Sequence, residues 1–265
     1  MTQIDVRRDG KVAVCTITPP DIYMTAETVA EIDRVSADLA ADAAVRAVIF
    51  TGGHPGVFIQ HYDVAELAGL AEGLRTKGAQ FTADRPVKPR LLDQVFDRFA
   101  AMDKPVIAAL NGNAMGGGLE LALACDIRVA QPGNFSFGLP EINLGILPGA
   151  GGTQRLARLV GQARALEMVL RGRTVGPDEA ARLGLVHEVC VDGALTGARR
   201  VAADIADKTP LAVRHIKYLI REAASGPLDA GLALERTLFL DLLVRDEAVH
   251  LMQRFEQTGR DIRNV

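Results

Sequence analysis

Two carboxylates stand where charge is expensive. Glu120 lies in NGNAMGGGLELALACDI (residues 111–127), flanked by Leu119, Leu121, Ala122 and Leu123 near the start of a helical pattern that is apolar nearly all round. Glu141 lies between Pro140 and Ile142 in FGLPEINLGILPGAGG (residues 137–152), a stretch with no other charge. A buried carboxylate must be paired or hydrogen-bonded, or it costs folding energy. For Glu120 this leaves two readings: a group satisfied by the dipole of its own helix, or a catalytic group. Close to the two acids stand two glycine runs, Gly116-Gly117-Gly118 and Gly149-Ala150-Gly151-Gly152. Where a strand meets a helix, such a run exposes backbone N–H groups to an approaching anion, with no β-carbon in the way; it also serves as a tight turn or a close-packing point. Paired carboxylates in an apolar cleft suit general acid and base work, because burial and mutual repulsion push their proton affinities apart. One can hold a water while the other gives or takes a proton.

Other chemistries lack their residues. The glycines do not have dinucleotide-fingerprint spacing, and neither a Walker GK[ST] nor a G-x-S-x-G elbow occurs. Cys15, Cys125 and Cys190 are widely spaced, without a CxxC pair or Cys/His clustering, so no metal site is expected and a reduced, intracellular protein fits best. The 30 Lys+Arg against 33 Asp+Glu, with no long basic run, argue against nucleic acid. The N-terminal MTQIDVRRDG has no apolar leader and no stretch is apolar enough to span a bilayer, which predicts a cytoplasmic protein without a membrane partner.

The elements that must position these residues follow from periodicity. Alternation on either side of Asp9-Gly10 predicts a β-hairpin over residues 1–18. Val29, Ile32, Val35 and Leu39 predict a helix over 25–41, and residues 45–51 a strand ending at Gly52-Gly53. A helix over 88–101, a strand over 105–110, a helix over 117–125 and a strand over 126–130 repeat the order, and helices dominate from Thr153 onward. Such alternation argues for an α/β fold. Residues 71–88, polar and without a clear period, read as a loop or lid, or as a surface insertion. Residues 228–255 carry too many apolar side chains for a solvated face, which predicts packing on another element or another subunit.

Taken together, NGNAMGGGLELALACDI and FGLPEINLGILPGAGGTQRL resemble the enoyl-CoA hydratase/isomerase family, the crotonase superfamily, and RAVIFTGG and GVFIQHYDVAEL extend the resemblance over nearly the whole chain. The resemblance implies a crotonase fold of stacked β-β-α turns over 1–200, with a C-terminal helical trimerisation region over 201–265 and a homotrimer or homohexamer. It implies an acyl-CoA thioester substrate, with coenzyme A as part of the substrate and no separate cofactor. The backbone N–H groups of Tyr62 and Gly117 match its oxyanion hole, and Glu120 and Glu141 its two hydratase carboxylates. Gly149 matches a water-positioning N–H, beside Gly116 and Pro140. Gln60-His61-Tyr62-Asp63 stands where the family commonly has Ala-Gly-Ala-Asp, and Asp21-Ile-Tyr-Met-Thr25 replaces its Asn-Ala, so Gln60, His61 and Asp63 are candidate substrate contacts. Lys217 is a candidate CoA contact or a solvated helix residue; Asp63 and Glu66 also read as helix-capping charges. The activity implied is hydration of a trans-2-enoyl-CoA. The alternatives are a double-bond isomerase or other acyl-CoA enzyme of the superfamily, and a non-catalytic binding or assembly subunit whose pocket His61 and Tyr62 would close.

Overall fold

A computed structural model describes residues 2–258. The chain forms two compact units that divide between Ala206 and Asp207.

In chain order the first unit contains β1 (Ile4–Asp9), β2 (Val12–Ile17), α1 (Ala26–Ala41), β3 (Ala47–Gly52), β4 (Gly56–Ile59), α2 (Val64–Thr76), α3 (Leu91–Ala101), β5 (Val106–Leu110), β6 (Gly112–Met115) and α4 (Gly117–Ala124). There follow β7 (Ile127–Ala130), β8 (Phe137–Gly138), a 3-10 turn (Glu141–Leu144), α5 (Gly152–Val160), α6 (Gln162–Leu170), β9 (Thr174–Val175), α7 (Pro177–Leu183), β10 (Glu188–Val189) and α8 (Ala194–Ala206). From β3 to β8, consecutive strands alternate between two sheets. β3, β5 and β7 join a six-stranded sheet of order β1-β2-β3-β5-β7-β10, while β4, β6 and β8 join a four-stranded sheet of order β4-β6-β8-β9. This is the stacked β-β-α arrangement. In the larger sheet only the β1–β2 hairpin is antiparallel, paired from Ile4 with Ile17 to Asp9 with Val12.

Side-chain alternation along the central strands separates two cores. Val48, Phe50, Val106, Ala108 and Leu110 belong to a core shared with α1, α3 and α4, where Phe50 stacks on Phe99 with ring centroids 4.8 Å apart. Ala47, Ile49, Ile107 and Ala109 face the other way, onto Ala194, Ala198, Ala202 and Ala206 of α8. Those small residues let α8 lie close to the sheet. The boundary expected after residue 200 therefore falls inside α8, which runs unbroken to Ala206 as part of the first unit.

Several element ends follow local chemistry. Thr25 closes a capping box with Thr28 at the start of α1. The helix expected from residue 88 starts at Leu91, after Pro89 and an extended Arg90. The segment expected as a loop from residue 71 is helical as far as Thr76, because α2 continues through Gly69 and Gly73; residues 77–90 carry no helix or strand. α4 is buried along its whole length. At its C-terminal end the buried Arg128 guanidinium donates to the carbonyls of Ala122 and Cys125 at 3.3 and 2.8 Å, satisfying acceptors that the helix leaves open.

The second unit contains α9 (Pro210–Ala223), α10 (Leu228–Leu243) and α11 (Asp246–Thr258); residues 259–265 of the region expected to be helical lie outside the described range. His215 and Asp241 tie α9 to α10 at 3.0 Å. Leu228, Leu232, Phe239, Leu240 and Val244 are exposed.

Two glycines test the fold. A β-carbon on Gly112 would stand 1.8–2.1 Å from backbone atoms of Gly56 and Val57, so β4 and β6 would have to separate. Gly112→Ala is expected to lower unfolding stability by about 2–3 kcal/mol. A β-carbon on Gly69 meets nothing within 4 Å, and Gly69→Ala, on exposed α2, is expected to raise stability by about 0.5–1 kcal/mol. Denaturant midpoints check both signs.

Candidate functional site

The first glycine run places backbone donors where two strands meet a helix. Gly116 precedes α4 with φ 48° and ψ −127°, a conformation open to glycine, and its N–H pairs with the Gly138 carbonyl at 3.0 Å. Gly117 then opens α4. A β-carbon there would lie 2.9 Å from Met24 Cε, 3.2 Å from Tyr62 Cβ and 3.5 Å from Tyr62 N, so only glycine lets the two backbones approach. Met24 N–H bonds to the His61 carbonyl at 2.9 Å and Asp63 N–H to the Met24 carbonyl at 2.8 Å. This parallel bridge spends the amides on either side of Tyr62 and turns its own N–H to the opposite side. The Tyr62 and Gly117 N–H groups have no acceptor among the described residues.

A cavity of about 570 Å³ opens at this point. Gly116, Gly117, Tyr62, His61, Glu120, Pro140, Glu141 and Gly149 all line it, so the structure brings together most of the residues singled out in the sequence. Gln60 and Asp63 are not in its wall. The Gln60 backbone is spent on Ile22 and Met115, and the Asp63 side chain caps α2 by accepting the Glu66 N–H at 2.9 Å. Lys217 sits half-buried on α9 of the second unit. The bulky His61 and Tyr62 leave the cavity open. His61 packs at a tilt of 31° against Tyr23 with centroids 4.5 Å apart, its Nδ1 2.8 Å from the Tyr62 carbonyl, which assigns the proton to Nδ1 because the carbonyl can only accept. The Tyr62 hydroxyl donates to Glu66 Oε2 at 2.9 Å, and the same oxygen accepts the Ala26 N–H at 2.9 Å, joining α2 to the start of α1. Burial and the Glu66 carboxylate push the Tyr62 phenol up to about 12.

The two carboxylates differ in their partners. Glu120, 3% exposed, points Oε1 at the second glycine run and accepts the N–H groups of Ala150 at 2.7 Å and Gly152 at 2.8 Å. Ala150 lies in the turn before α5 and Gly152 opens α5, so neither donor belongs to the acid's own helix α4, and together they hold the carboxylate on the cavity wall. Burial pushes its proton affinity up, and the two N–H groups oppose that shift. Glu141 stands at the start of the 3-10 turn, and its buried Oε2 has no hydrogen-bond partner. Burial, with a further contribution from the Glu120 charge, pushes it up to about 7. A β-carbon on Gly116 would come within 3.2 Å of Glu141 Oε1, so glycine there also leaves room for the acid.

Two arginines escaped the sequence reading. Arg90 is chelated by Asp93, Nε to Oδ2 and Nη2 to Oδ1 at 2.9 Å each, and also donates to the Gly149 carbonyl at 2.5 Å. Arg155 donates to the Ala150 carbonyl at 2.8 Å and to Asp97 at 3.1 Å. Together they grip the carbonyl side of the turn whose N–H side grips Glu120. Arg155 stood in the sequence in the GGTQRL run; Arg90 followed a polar segment without periodicity, and nothing nearby marked it.

Stacked β-β-α turns, here enclosing two acids and a pair of unpaired amides, define a crotonase-type fold. Comparison with known proteins agrees. The model of the family described as enoyl-CoA hydratase/isomerase matches residues 7–261. A short-chain-enoyl-CoA hydratase of Clostridium acetobutylicum is 36% identical, covering 96% of this chain and 95% of its own length. A 2,3-dehydroadipyl-CoA hydratase of Escherichia coli is 37% identical, covering 93% and 92%. The crystal structure of an enoyl-CoA hydratase from Bacillus anthracis superposes with a TM-score of 0.85 at 31% identity, covering 96% of each chain. The chain belongs to the enoyl-CoA hydratase/isomerase family.

The raised Glu141 acid has a measurable consequence. Its folded value of about 7 lies above the ordinary 4.5, so between these values the folded protein holds a proton that the unfolded chain has lost. Stability contributed by this group therefore falls as pH rises from about 4.5 to 7. Glu141→Gln removes the loss. The variant's Tm minus the parent's is expected to grow by roughly a few degrees between pH 5 and pH 8, followed by calorimetry.

Proposed function

We propose that this protein is an enoyl-CoA hydratase, adding water reversibly and syn across the 2,3 double bond of a trans-2-enoyl-CoA to give a 3-hydroxyacyl-CoA. The observation that carries the reading is the unequal pair in one cavity: Glu120 tied by two N–H groups, Glu141 with an oxygen left unpaired. An acid with one buried oxygen left without a donor and only its own backbone N–H to oppose burial keeps its proton, whereas one holding two N–H groups from another turn is the better anion. Glu141 then gives a proton to C2 while Glu120 takes one from the water whose oxygen bonds to C3. Gly149, Gly116 and Pro140 shape the wall where that water would sit. As C3 is attacked, negative charge moves onto the thioester oxygen, and the N–H groups of Tyr62 and Gly117 are free to receive it. Fixed dipoles of this kind are often the largest catalytic contribution, a single donor being worth about 10²–10³ in rate.

The chemistry asks only for carboxylates, backbone donors and the coenzyme A carried by the substrate itself. An intracellular, cytoplasmic setting is supported by three buried cysteines, none of them in a disulfide. No helix among the described residues is long and apolar enough to cross a membrane. The exposed apolar side chains of α10 support assembly into a homotrimer or homohexamer.

Turnover of enoyl-CoAs with mass detection of products tests the reaction: the gain of one water is expected. Conversion of a 3-enoyl-CoA to its 2-enoyl isomer with no water gained would overturn the reading in favour of an isomerase. Glu120→Gln and Glu141→Gln are each expected to lower kcat by about 10²–10⁴ with the fold intact by circular dichroism; full activity in either removes the two-carboxylate mechanism.

The pH profile follows from the proton count. Hydration starts with the proton on Glu141 and ends with it on Glu120, so the pair carries one proton in both directions. Because the overall equilibrium takes up no proton, kcat/KM for hydration and dehydration must share one profile. A bell is expected in both, its alkaline limb near pH 7 where the free enzyme loses the Glu141 proton. Initial rates in both directions across pH 4–10 would show it.

A further inference from the structure

Relatives of nearly equal identity are named for different acyl groups, a short chain in one and a chain ending in a second carboxylate in another, so identity does not choose between them. The cavity wall does. Building on the hydratase reading, we infer that the acyl group is apolar to its end and longer than four carbons, and that Val64, Leu67 and Leu70 of α2, with Val29, Leu91 and Leu147, form the surface that selects it.

Three observations converge. α2 carries apolar side chains at 64, 67 and 70, one helical face, yet none of its residues is buried; that face lines the cavity and is left without a core to pack on. Helix faces of this composition are stabilised only when something apolar covers them, and a ligand in the cavity would do so. Charge argues in the same direction. The charged or chargeable side chains in the wall are His61, Arg90, Glu120 and Glu141. Arg90 has Nε and Nη2 on Asp93 and the Gly149 carbonyl, its charge balanced by the Asp93 carboxylate, and His61 has Nδ1 on the Tyr62 carbonyl. A distal carboxylate would meet two acids, and the arginine in the wall already has a carboxylate partner in Asp93. Size completes the case. A four-carbon acyl group occupies about the space of four waters, ~120 Å³ at about 30 Å³ each, and the cavity offers about 570 Å³.

The test is kcat/KM across straight-chain trans-2-enoyl-CoAs of four to twelve carbons, with 2,3-dehydroadipyl-CoA beside the uncharged six-carbon substrate. The expected result is a rise of up to about fourfold per added methylene until the cavity is filled, with the carboxylate-ended substrate at least tenfold below its uncharged match. Highest kcat/KM on the four-carbon or the carboxylate-ended substrate would overturn the inference. Leu67→Trp should lower the ratio of eight-carbon to four-carbon kcat/KM about tenfold; an unchanged ratio in a folded variant would count against α2 as the selecting surface. Calorimetric titration with saturated acyl-CoAs separates the two proposals. Affinity that rises with chain length while no enoyl-CoA gains water keeps the acyl inference and removes the hydratase reading, whereas affinity indifferent to length removes the acyl inference.

Discussion

The site depends on one contact, the Glu120 carboxylate on the N–H groups of Ala150 and Gly152. It ties a buried helix of the first unit to the turn that opens α5, and so fixes both the acid and the wall opposite it. The turn is held from its other side as well, where Arg90 takes the Gly149 carbonyl and Arg155 the Ala150 carbonyl. A turn gripped through its donors by an anion and through its acceptors by two cations has little freedom to shift. Such rigidity suits a site that must receive developing charge without reorganising.

The same economy of backbone groups governs the two unpaired amides of Tyr62 and Gly117. In a regular parallel pairing the amides of a strand are spent on its neighbours; here Met24 takes the groups at His61 and Asp63 and leaves Tyr62 facing the other way. Gly117, first in its helix, is unpaired for a different reason, since the opening amides of any helix lack an intrahelical partner. Two unrelated local rules thus leave two donors on adjacent backbones, and the missing β-carbon of Gly117 is what allows them to stand together. The Tyr62 side chain ties α2 to the start of α1 through Glu66.

How legible this was in the sequence varied with the kind of signal. Periodicity gave the hairpin and α1, and short continuous apolar runs gave β3, β5 and α4, each to within a few residues. The four-stranded sheet was hidden: β8 and β9 have two residues each and β6 has the pattern GNAM, too short and too mixed for any period to register. The acids were conspicuous because charge in an apolar run is conspicuous. Their partners were not. Nothing in the local sequence tells that Glu120 is satisfied by a turn thirty residues ahead and not by its own helix, nor that Arg90 reaches a carbonyl fifty-nine residues away. Long-range polar contacts depend on the packed fold, and sequence pattern speaks mainly of what is local.

The unequal treatment of the two acids is the part of the arrangement that works against stability. Leaving Glu141 Oε2 buried without a donor carries a free-energy cost that a hydrogen bond would remove, yet a donor there would pull the acid down to an ordinary carboxylate and empty it of its proton at neutral pH. With Glu120 anchored by two amides and Glu141 Oε2 left without a donor, the one proton of the pair has a defined resting place before water adds. Equalising the two environments, by giving Glu141 a donor or by taking the amides of Ala150 and Gly152 from Glu120, would leave the proton without that preference. Such an exchange would stabilise the fold and weaken the chemistry, which is why a buried, unpaired carboxylate oxygen is informative here: the surrounding elements are arranged to tolerate it.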